Sequence, residues 1–377
     1  MRRLIGAAAG AGSLVLLLAA CGGGSDGDTA TSAAGGGPRK ISVTITNSGC
    51  VAKPARVPAG PATFSVSNDG ADDVSEVELL DGNTLLSEAE NIAPGLSGTF
   101  SVTLRPGKFR TYCPGADSEY APFVVTGTRA EARAGESAAA AVAHYRSYLE
   151  TQTTALVTRT QAFVAALRAG RLAEAKRLYV QARAPYERIE PVAESFGNLD
   201  PEIDARAGDV PAADWTGFHP IERMLWVKGT TNGTAALATG LLKNVRELER
   251  RVRAVRLEPA QIANGSVELL GEVSKSKITG EEERYSHTDL VDFEANVDGA
   301  RAAFDSVRPI VAARKPALPG LIAQRFEDVN AALAPYRRGA GFVTYKALTT
   351  ADTRKLSQSI DALAEPLSQV GAIVVAE

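Results

Sequence analysis

The sequence has few of the side chains that bind metals through sulfur or imidazole. Its 377 residues include three Cys, three His and two Met. A site that needs several such ligands therefore has few positions available. The chain also lacks an excess of one charge, because 41 Lys and Arg residues stand against 44 Asp and Glu residues. This balance excludes a polybasic nucleic-acid binder, and we expect no nucleic-acid partner.

Common catalytic motifs are also missing. The sequence contains no His-Glu-x-x-His pattern, no Gly-x-Ser-x-Gly elbow and no Walker loop. Their absence excludes the usual zinc-peptidase helix, the α/β-hydrolase nucleophile and the common phosphate-binding loop. A hydrolase would have to use a water activated on a bound metal. We therefore predict a protein that is not an enzyme, with a metal-dependent peptidase as the alternative.

The first 21 residues have the organisation of a secretory signal, with a basic start followed by an apolar stretch. The sequence Leu18-Ala19-Ala20-Cys21 resembles the bacterial lipobox, in which the Cys is lipidated. We predict a lipoprotein signal peptide at 1–21 that ends at Cys21, and a flexible linker at 22–39. The protein would then lie outside the bacterial cytoplasmic membrane, held there by its lipid anchor or free in the periplasm. A plain signal peptide with an incidental Cys is the alternative.

The remaining chain divides into two halves with different periodicities. Residues 40–127 alternate between polar and apolar, as in Ile41-Ser42-Val43-Thr44-Ile45, with Gly, Pro and Asn between the runs. This pattern predicts a small β-sandwich. Residues 128–377 are rich in Ala, Arg, Glu and Leu with apolar residues at helical spacing. They predict a bundle of about seven helices.

Two Cys residues remain in the predicted β half. Cys50 and Cys113 could form a disulfide or serve as metal thiolates. The sequence Tyr112-Cys113-Pro114-Gly115 resembles the copper-ligand end of a cupredoxin, but residues 38–127 contain no His and no Met, which excludes a blue-copper centre. Glu76 with the two Cys could form a second metal site. A solvated acidic face with a structural disulfide is the alternative.

The predicted helical half contains a His and a Glu at metal-binding spacing. If Pro220 begins a helix, His219 lies at its cap and Glu222 lies three residues further on. The pair could bind a cation, or the Glu could belong to a capping box. Upstream, Glu187, Glu190 and Glu194 would share one face of a single helix. Their like charges favour either a bound cation or ion pairs with neighbouring Arg residues such as Arg183.

A third acidic segment surrounds another of the three histidines. Glu281, Glu282 and Glu283 precede Tyr285-Ser286-His287-Thr288-Asp289. Ser286 with Asp289 fits a capping box, which would place His287 in the first turn of a helix. A solvated acidic face is one interpretation of this run. A carboxylate-rich iron site inside a helical bundle is the other.

Three motifs together carry a family resemblance. They are Tyr186-Glu187-Arg188-Ile189-Glu190-Pro191, Gly217-Phe218-His219-Pro220-Ile221-Glu222 and Tyr285-Ser286-His287-Thr288-Asp289-Leu290. With a signal and a cupredoxin-like half before them, they resemble the imelysin (peptidase M75) family. The predicted fold is thus multidomain, an all-β cupredoxin-like sandwich (40–127) followed by an all-α imelysin-like helical bundle (128–377).

The resemblance also implies a function. It implies an extracytoplasmic component of an Efe-type iron-uptake system that works with an EfeU-like permease and an EfeB-like haem peroxidase. The cargo would be iron, as Fe(II) or Fe(III), with copper or zinc as alternatives. The implied metal ligands are His219, Glu222, Glu187, Glu190 and Asp204, and the run of three Glu residues adds Glu282. An interaction module with a structural metal is a further alternative.

Overall fold

The structure, a computed structural model, describes residues 38–127, 136–275, 277–339 and 341–376. The predicted signal peptide, the predicted lipidation site Cys21 and nearly all of the predicted linker lie outside these ranges. Within them, no helix has both the length and the apolar composition needed to cross a bilayer.

The N-terminal part is built of nine strands in two sheets. The strands are β1 (Arg39–Thr46), β2 (Gly49–Lys53), β3 (Arg56–Pro58), β4 (Gly60–Asn68), β5 (Val77–Asp81), β6 (Thr84–Ala89), β7 (Ser97–Leu104), β8 (Gly107–Tyr112) and β9 (Tyr120–Thr126). One sheet has the order β2-β1-β4-β7 and the other has the order β3-β9-β8-β5-β6. Pairing is parallel between β1 and β4 and between β3 and β9, and antiparallel elsewhere.

The core of this β region lies between the two sheets. The alternation seen in the sequence places every second residue of β1 inward, so Ile41, Val43 and Ile45 are buried. Phe64 of one sheet contacts Phe123 of the other, with ring centroids 5.4 Å apart. Cys50 of β2 and Cys113, which follows β8, are joined in a disulfide with their Cα atoms 6.3 Å apart. The sandwich core is therefore both packed and covalently linked.

The rest of the described chain is helical. The helices are α1 (Glu136–Arg168), α2 (Leu172–Glu187), α3 (Glu190–Glu194), α4 (Leu199–Asp204), α5 (Phe218–Trp226), α6 (Ala235–Ala254), α7 (Pro259–Lys275), α8 (Asp289–Arg314), α9 (Leu318–Leu333), α10 (Thr350–Leu367) and α11 (Val370–Val375). Three short 3₁₀ turns (Lys277–Thr279, Ala334–Tyr336 and Tyr345–Ala347) and a strand pair, β10 (Arg337–Arg338) with β11 (Gly341–Phe342), complete it.

The helices pack around the long α1. Its inward face carries Tyr145, Leu149, Leu156, Phe163 and Leu167 at helical spacing, all buried. This face packs against α2, α6 and α8. An all-β part followed by an all-α part confirms the predicted fold class. The predicted number of helices was too low, because α3, α4, α5 and α11 are short and depend on tertiary packing, which sequence periodicity does not report.

Asn264 of α7 links the β region to the helices. Its side-chain amide donates hydrogen bonds to the carbonyl oxygen of Ser101 (2.6 Å) and to the hydroxyl of Ser87 (2.8 Å). Arg105 also pairs with Glu258 across the same junction. A cleft of about 1740 Å³ is lined by β-region residues and by residues of α3, α4 and α6. The sheets and the helices therefore share a polar boundary.

Candidate metal centre

A close contact between α4 and α5 brings the predicted ligands together. Gly217, the residue before α5, has a φ of +86°, and a Cβ atom there would overlap the carbonyl oxygen of Ile203. Only glycine allows the two backbones to approach this closely. Because Ile203 precedes the last residue of α4, the contact places Asp204 beside His219.

His219 and two carboxylates form a buried group of three. The Nε2 atom of His219 lies 3.5 Å from Asp204 Oδ1 and 3.5 Å from Glu282 Oε1. All three residues are buried, and their ligand atoms lie within 4.8 Å of one another. Two ligands bound at tetrahedral angles to one metal ion are separated by about 3.4 Å, given bonds of roughly 2.1 Å. The spacing of this triad therefore suits a single cation. We refer to Asp204, His219 and Glu282 as the triad.

Glu222 holds the other side of the imidazole. Its Oε2 atom lies 3.3 Å from His219 Nδ1, while its Oε1 atom accepts hydrogen bonds from the backbone N–H groups of Tyr285 (2.9 Å) and Ser286 (2.6 Å). A carboxylate on Nδ1 orients the ring and directs Nε2 toward a metal. The predicted pairing of His219 with Glu222 thus occurs in the structure. However, α5 begins at Phe218, so His219 is the second helical residue rather than the cap.

A buried arginine lies among the same carboxylates. Arg183 of α2 is fully buried and contacts Asp204 and Glu187. Its Nη2 atom lies 3.1 Å from Glu282 Oε1, and its Nε atom lies 2.7 Å from Glu283 Oε1. The charge of this one side chain offsets part of the charge of four carboxylates. The sequence indicates Arg183 only as an ion-pair partner of the Glu cluster, whereas in the structure it lies at the centre of the site.

Glu187 and Glu190 do not join the triad. Helix α2 ends at Glu187 and α3 begins at Glu190, so the single predicted helix is broken at this point. The ammonium of Lys277 bridges the two carboxylates instead, at 2.7 Å from Glu187 and 2.5 Å from Glu190. It also lies 3.1 Å from Glu272. The prediction that Glu190 binds the same metal ion as His219 is therefore corrected, because Lys277 holds Glu190 in a neighbouring cluster.

Burial and charge shift the pKa values of the site in both directions. Burial disfavours the charged form of Glu282, but Lys277, His219 and Arg183 outweigh it and hold the pKa of Glu282 well below its usual range. Burial raises the pKa of Asp204 to about 6, although Arg183 and His219 oppose the shift. Two effects oppose protonation of His219, its burial and the charge of Arg183. Hydrogen bonds with Glu222 and Glu282 prevail, so its pKa is raised.

Further carboxylates behind Arg183 were missed or misassigned from the sequence. Glu283 accepts hydrogen bonds from the hydroxyls of Tyr179 (3.0 Å) and Ser286 (2.5 Å). The predicted capping box of Ser286 with Asp289 is wrong, because α8 begins at Asp289 and Ser286 donates to Glu283 instead. His287 precedes that helix with a φ of 60°. The acidic run near His287 could have indicated Glu283, but only the fold reveals its orientation.

The β region holds a second carboxylate cluster. Ligand atoms of Glu76, Glu88 and Glu90 lie within 4.8 Å of one another. Burial, followed by hydrogen bonding to Glu78, raises the pKa of Glu76 to about 8. The predicted combination of Glu76 with Cys50 and Cys113 is corrected, because the two sulfur atoms are bonded to each other and offer no thiolate. A cation in this region would have carboxylate ligands only.

Comparison with known proteins agrees with this architecture. The model of the imelysin (peptidase M75) family matches residues 141–370, which include every residue of the triad. The chain belongs to this family. Two relatives with the same overlap are the iron uptake system component EfeO of Escherichia coli strain K12 and that of Shigella flexneri. Each is 39% identical over 344 residues, covering 89% of this chain and 91% of the relative. The predicted family is therefore confirmed.

Proposed function

We propose that this protein is the extracytoplasmic iron-binding component of an Efe-type uptake system and that the triad binds the iron. The observation that carries the proposal is the placement of His219 Nε2 at 3.5 Å from both Asp204 Oδ1 and Glu282 Oε1. One imidazole and two carboxylates are a typical donor set for Fe(II), and they also suit Fe(III) and Zn(II). The names of the relatives support iron among these cations.

The surroundings of the triad favour cation binding over catalysis. Glu222 and the triad carboxylates place three negative groups around one imidazole. Arg206, with about a third of its side chain exposed, lies 3.4 Å from Glu282 Oε2. The buried Glu282 is therefore in contact with a side chain that reaches the surface. Such an arrangement would let iron enter and leave, and the next steps of uptake would be transfer to an EfeU-like permease with an EfeB-like haem peroxidase as companion.

A second cation site is proposed in the β region at Glu76, Glu88 and Glu90. Glu88 is buried, and burial followed by the nearby charge of Glu90 raises its pKa. Clustered buried carboxylates are costly unless they are protonated or bind a cation. This site and Glu194 of α3 line the same cleft. The lipid anchor at Cys21 would hold both sites at the outer face of the membrane.

Calorimetric titration with Fe(II), under anaerobic conditions, tests the triad. His219→Ala removes the imidazole and should abolish the tighter binding event. Glu222→Gln should weaken that event about 10- to 100-fold, the usual effect of changing a residue that orients a metal ligand. His144→Ala is the matched control, because His144 bonds to the Ser306 hydroxyl at 2.9 Å and lies outside the triad. Equal affinities for His219→Ala and the parent protein would refute the proposal.

A further inference from the structure

The guanidinium of Arg183 contacts the same three residues that would hold a cation. Its Nη1 atom lies 3.3 Å from His219 Nε2 and contacts Asp204 Oδ1. Its Nη2 atom lies 3.1 Å from Glu282 Oε1. These are the three ligand atoms of the triad. Two cations cannot share these atoms at contact distance without strong repulsion, because the site is buried.

We propose that the guanidinium of Arg183 occupies the triad in the cation-free protein and competes with the transported cation for it. In the cation-free protein its guanidinium holds Asp204 and Glu282 in place, and on cation binding it withdraws from them toward Glu283 and Asp292. The inference rests on the proposed function, because it assumes that the triad binds the cation. Arg183 is thereby a positioning residue that sets the affinity of the site.

The structure contains acceptors on the side to which the guanidinium would move. The Nε atom of Arg183 already lies 2.7 Å from Glu283 Oε1 and 3.8 Å from Asp292 Oδ1. Asp292 is buried on α8, and its Oδ2 atom has no hydrogen-bond partner among the residues the structure describes. A buried unsatisfied carboxylate oxygen is unfavourable. A guanidinium that moves toward Asp292 would satisfy it, which offsets part of the loss of its contacts with the triad.

Competition of this kind suits transport. A cation of charge two or three interacts more strongly with the triad carboxylates than a guanidinium of charge one, whereas a monovalent cation gains little over it. When the cation leaves, Arg183 returns to Asp204 and Glu282 and compensates their charges. The site therefore discriminates against monovalent ions and releases its cargo without leaving bare buried carboxylates.

Fe(II) titration of Arg183→Gln tests the competition directly. Removing the competitor should tighten binding at least about tenfold and slow release by a similar factor. The matched control is Arg188→Gln, because Arg188 lies just after the end of α2 and pairs with the half-exposed Asp298 at 3.0 Å. Affinity of Arg183→Gln equal to or weaker than that of the parent protein would overturn the inference. If instead His219→Ala binds as tightly as the parent, the proposed function itself fails, and the two failures are distinct.

A second variant keeps Arg183 and alters the position to which it moves. Asp292→Asn should weaken Fe(II) binding about tenfold, although Asp292 is not a triad residue. The loss should disappear when Asp292→Asn is combined with Arg183→Gln, because the movement no longer matters. Loss of the same size in both backgrounds would indicate only a general electrostatic effect and would contradict the movement of Arg183.

Exogenous guanidinium provides a readout that does not depend on the stability of either variant. In Arg183→Ala, methylguanidinium can occupy the vacated volume and should weaken Fe(II) binding in a competitive manner. The parent protein should show no such competition, and NaCl at equal ionic strength should have no comparable effect on the variant. Absence of competition in Arg183→Ala would also overturn the inference.

Discussion

The charge of buried carboxylates is offset differently in two regions of the molecule. One is the helical centre, which comprises the triad, Arg183, Glu187 and Lys277, and the other is the β-region cluster of Glu76, Glu88 and Glu90. In the helical centre the charges of Arg183 and Lys277 offset Asp204, Glu187 and Glu282. In the β region the pKa of Glu76 is raised to about 8 by burial and by its hydrogen bond with Glu78, and burial and Glu90 raise that of Glu88. Glu282 of the helical centre therefore stays ionised beside cationic side chains, whereas Glu76 and Glu88 of the β region favour their protonated forms.

This difference has a consequence for cation binding. A metal ion would have to displace the guanidinium of Arg183 and the proton of His219 from the helical centre, whereas it would have to displace only protons from the β-region cluster. The two clusters would thus bind the same cation under different controls, because side-chain position affects only the helical centre.

Removing a buried cationic side chain should have the largest effect on the free energy of unfolding. Lys277→Met leaves Glu187, Glu190 and Glu272 without the shared ammonium. Breaking a buried ion pair from one side typically costs about 3–5 kcal/mol in the free energy of unfolding. Urea unfolding of the metal-free protein would measure the change. Lys243→Met is the matched control, because Lys243 is exposed on α6 and its loss should cost little. Similar stabilities for the two variants would contradict this view of Lys277.

Sequence reasoning could recover part of this centre. The spacing of His219 and Glu222 predicts their convergence, since residues three apart lie on one face of a helix. Asp204 was indicated only by the family resemblance and Glu282 only by the run of three Glu residues, because neither spacing nor periodicity brings them to His219. The contact that does so depends on Gly217, whose role is visible only when Ile203 is seen against it.

The burial of the cationic side chains could not be predicted in the same way. Arg183 and Lys277 belong to residue types that are mostly exposed, and no local pattern marks them as buried. Glu190 was misassigned because the break at Arg188 and Ile189 turns the chain toward Lys277. The sandwich and the helical bundle followed from alternation and helical spacing, and Pro220 indicated α5, but the break between α2 and α3 was not predicted.

Gly217→Ala should be the next most disruptive change, and it is specific to the helical centre. The added Cβ would overlap the carbonyl oxygen of Ile203 and separate α5 from α4. We expect a loss of about 3 kcal/mol in the free energy of unfolding, together with weaker Fe(II) binding. Gly229→Ala is the control, because Gly229 also has a positive φ but has open space around it. That variant should lose only about 1 kcal/mol and retain iron affinity.

A smaller effect, dependent on pH, should distinguish the β-region cluster. The pKa of Glu76 rises from 4.5 to about 8 on folding. The folded state therefore favours the protonated acid, and its stability falls as pH rises from about 4.5 to about 8. Glu76→Gln removes this loss, so its advantage over the parent protein should grow over that range to on the order of 2 kcal/mol. Thermal unfolding with a chelator at several pH values measures the difference.

Asp81→Asn is the control for that experiment. Asp81 is an exposed carboxylate at the end of β5, the strand that directly follows Glu76. Its difference from the parent should remain small at every pH. A constant difference between Glu76→Gln and the parent would show that Glu76 does not retain its proton, and the contrast between the two clusters would then be wrong.

Anomalous scattering at the iron absorption edge, from crystals soaked in Fe(II), tests the location of the cargo most directly. We predict the strongest peak at bonding distance from His219 Nε2, Asp204 and Glu282, with the guanidinium of Arg183 displaced toward Asp292. A strongest peak elsewhere, with the triad still occupied by Arg183, would contradict the account.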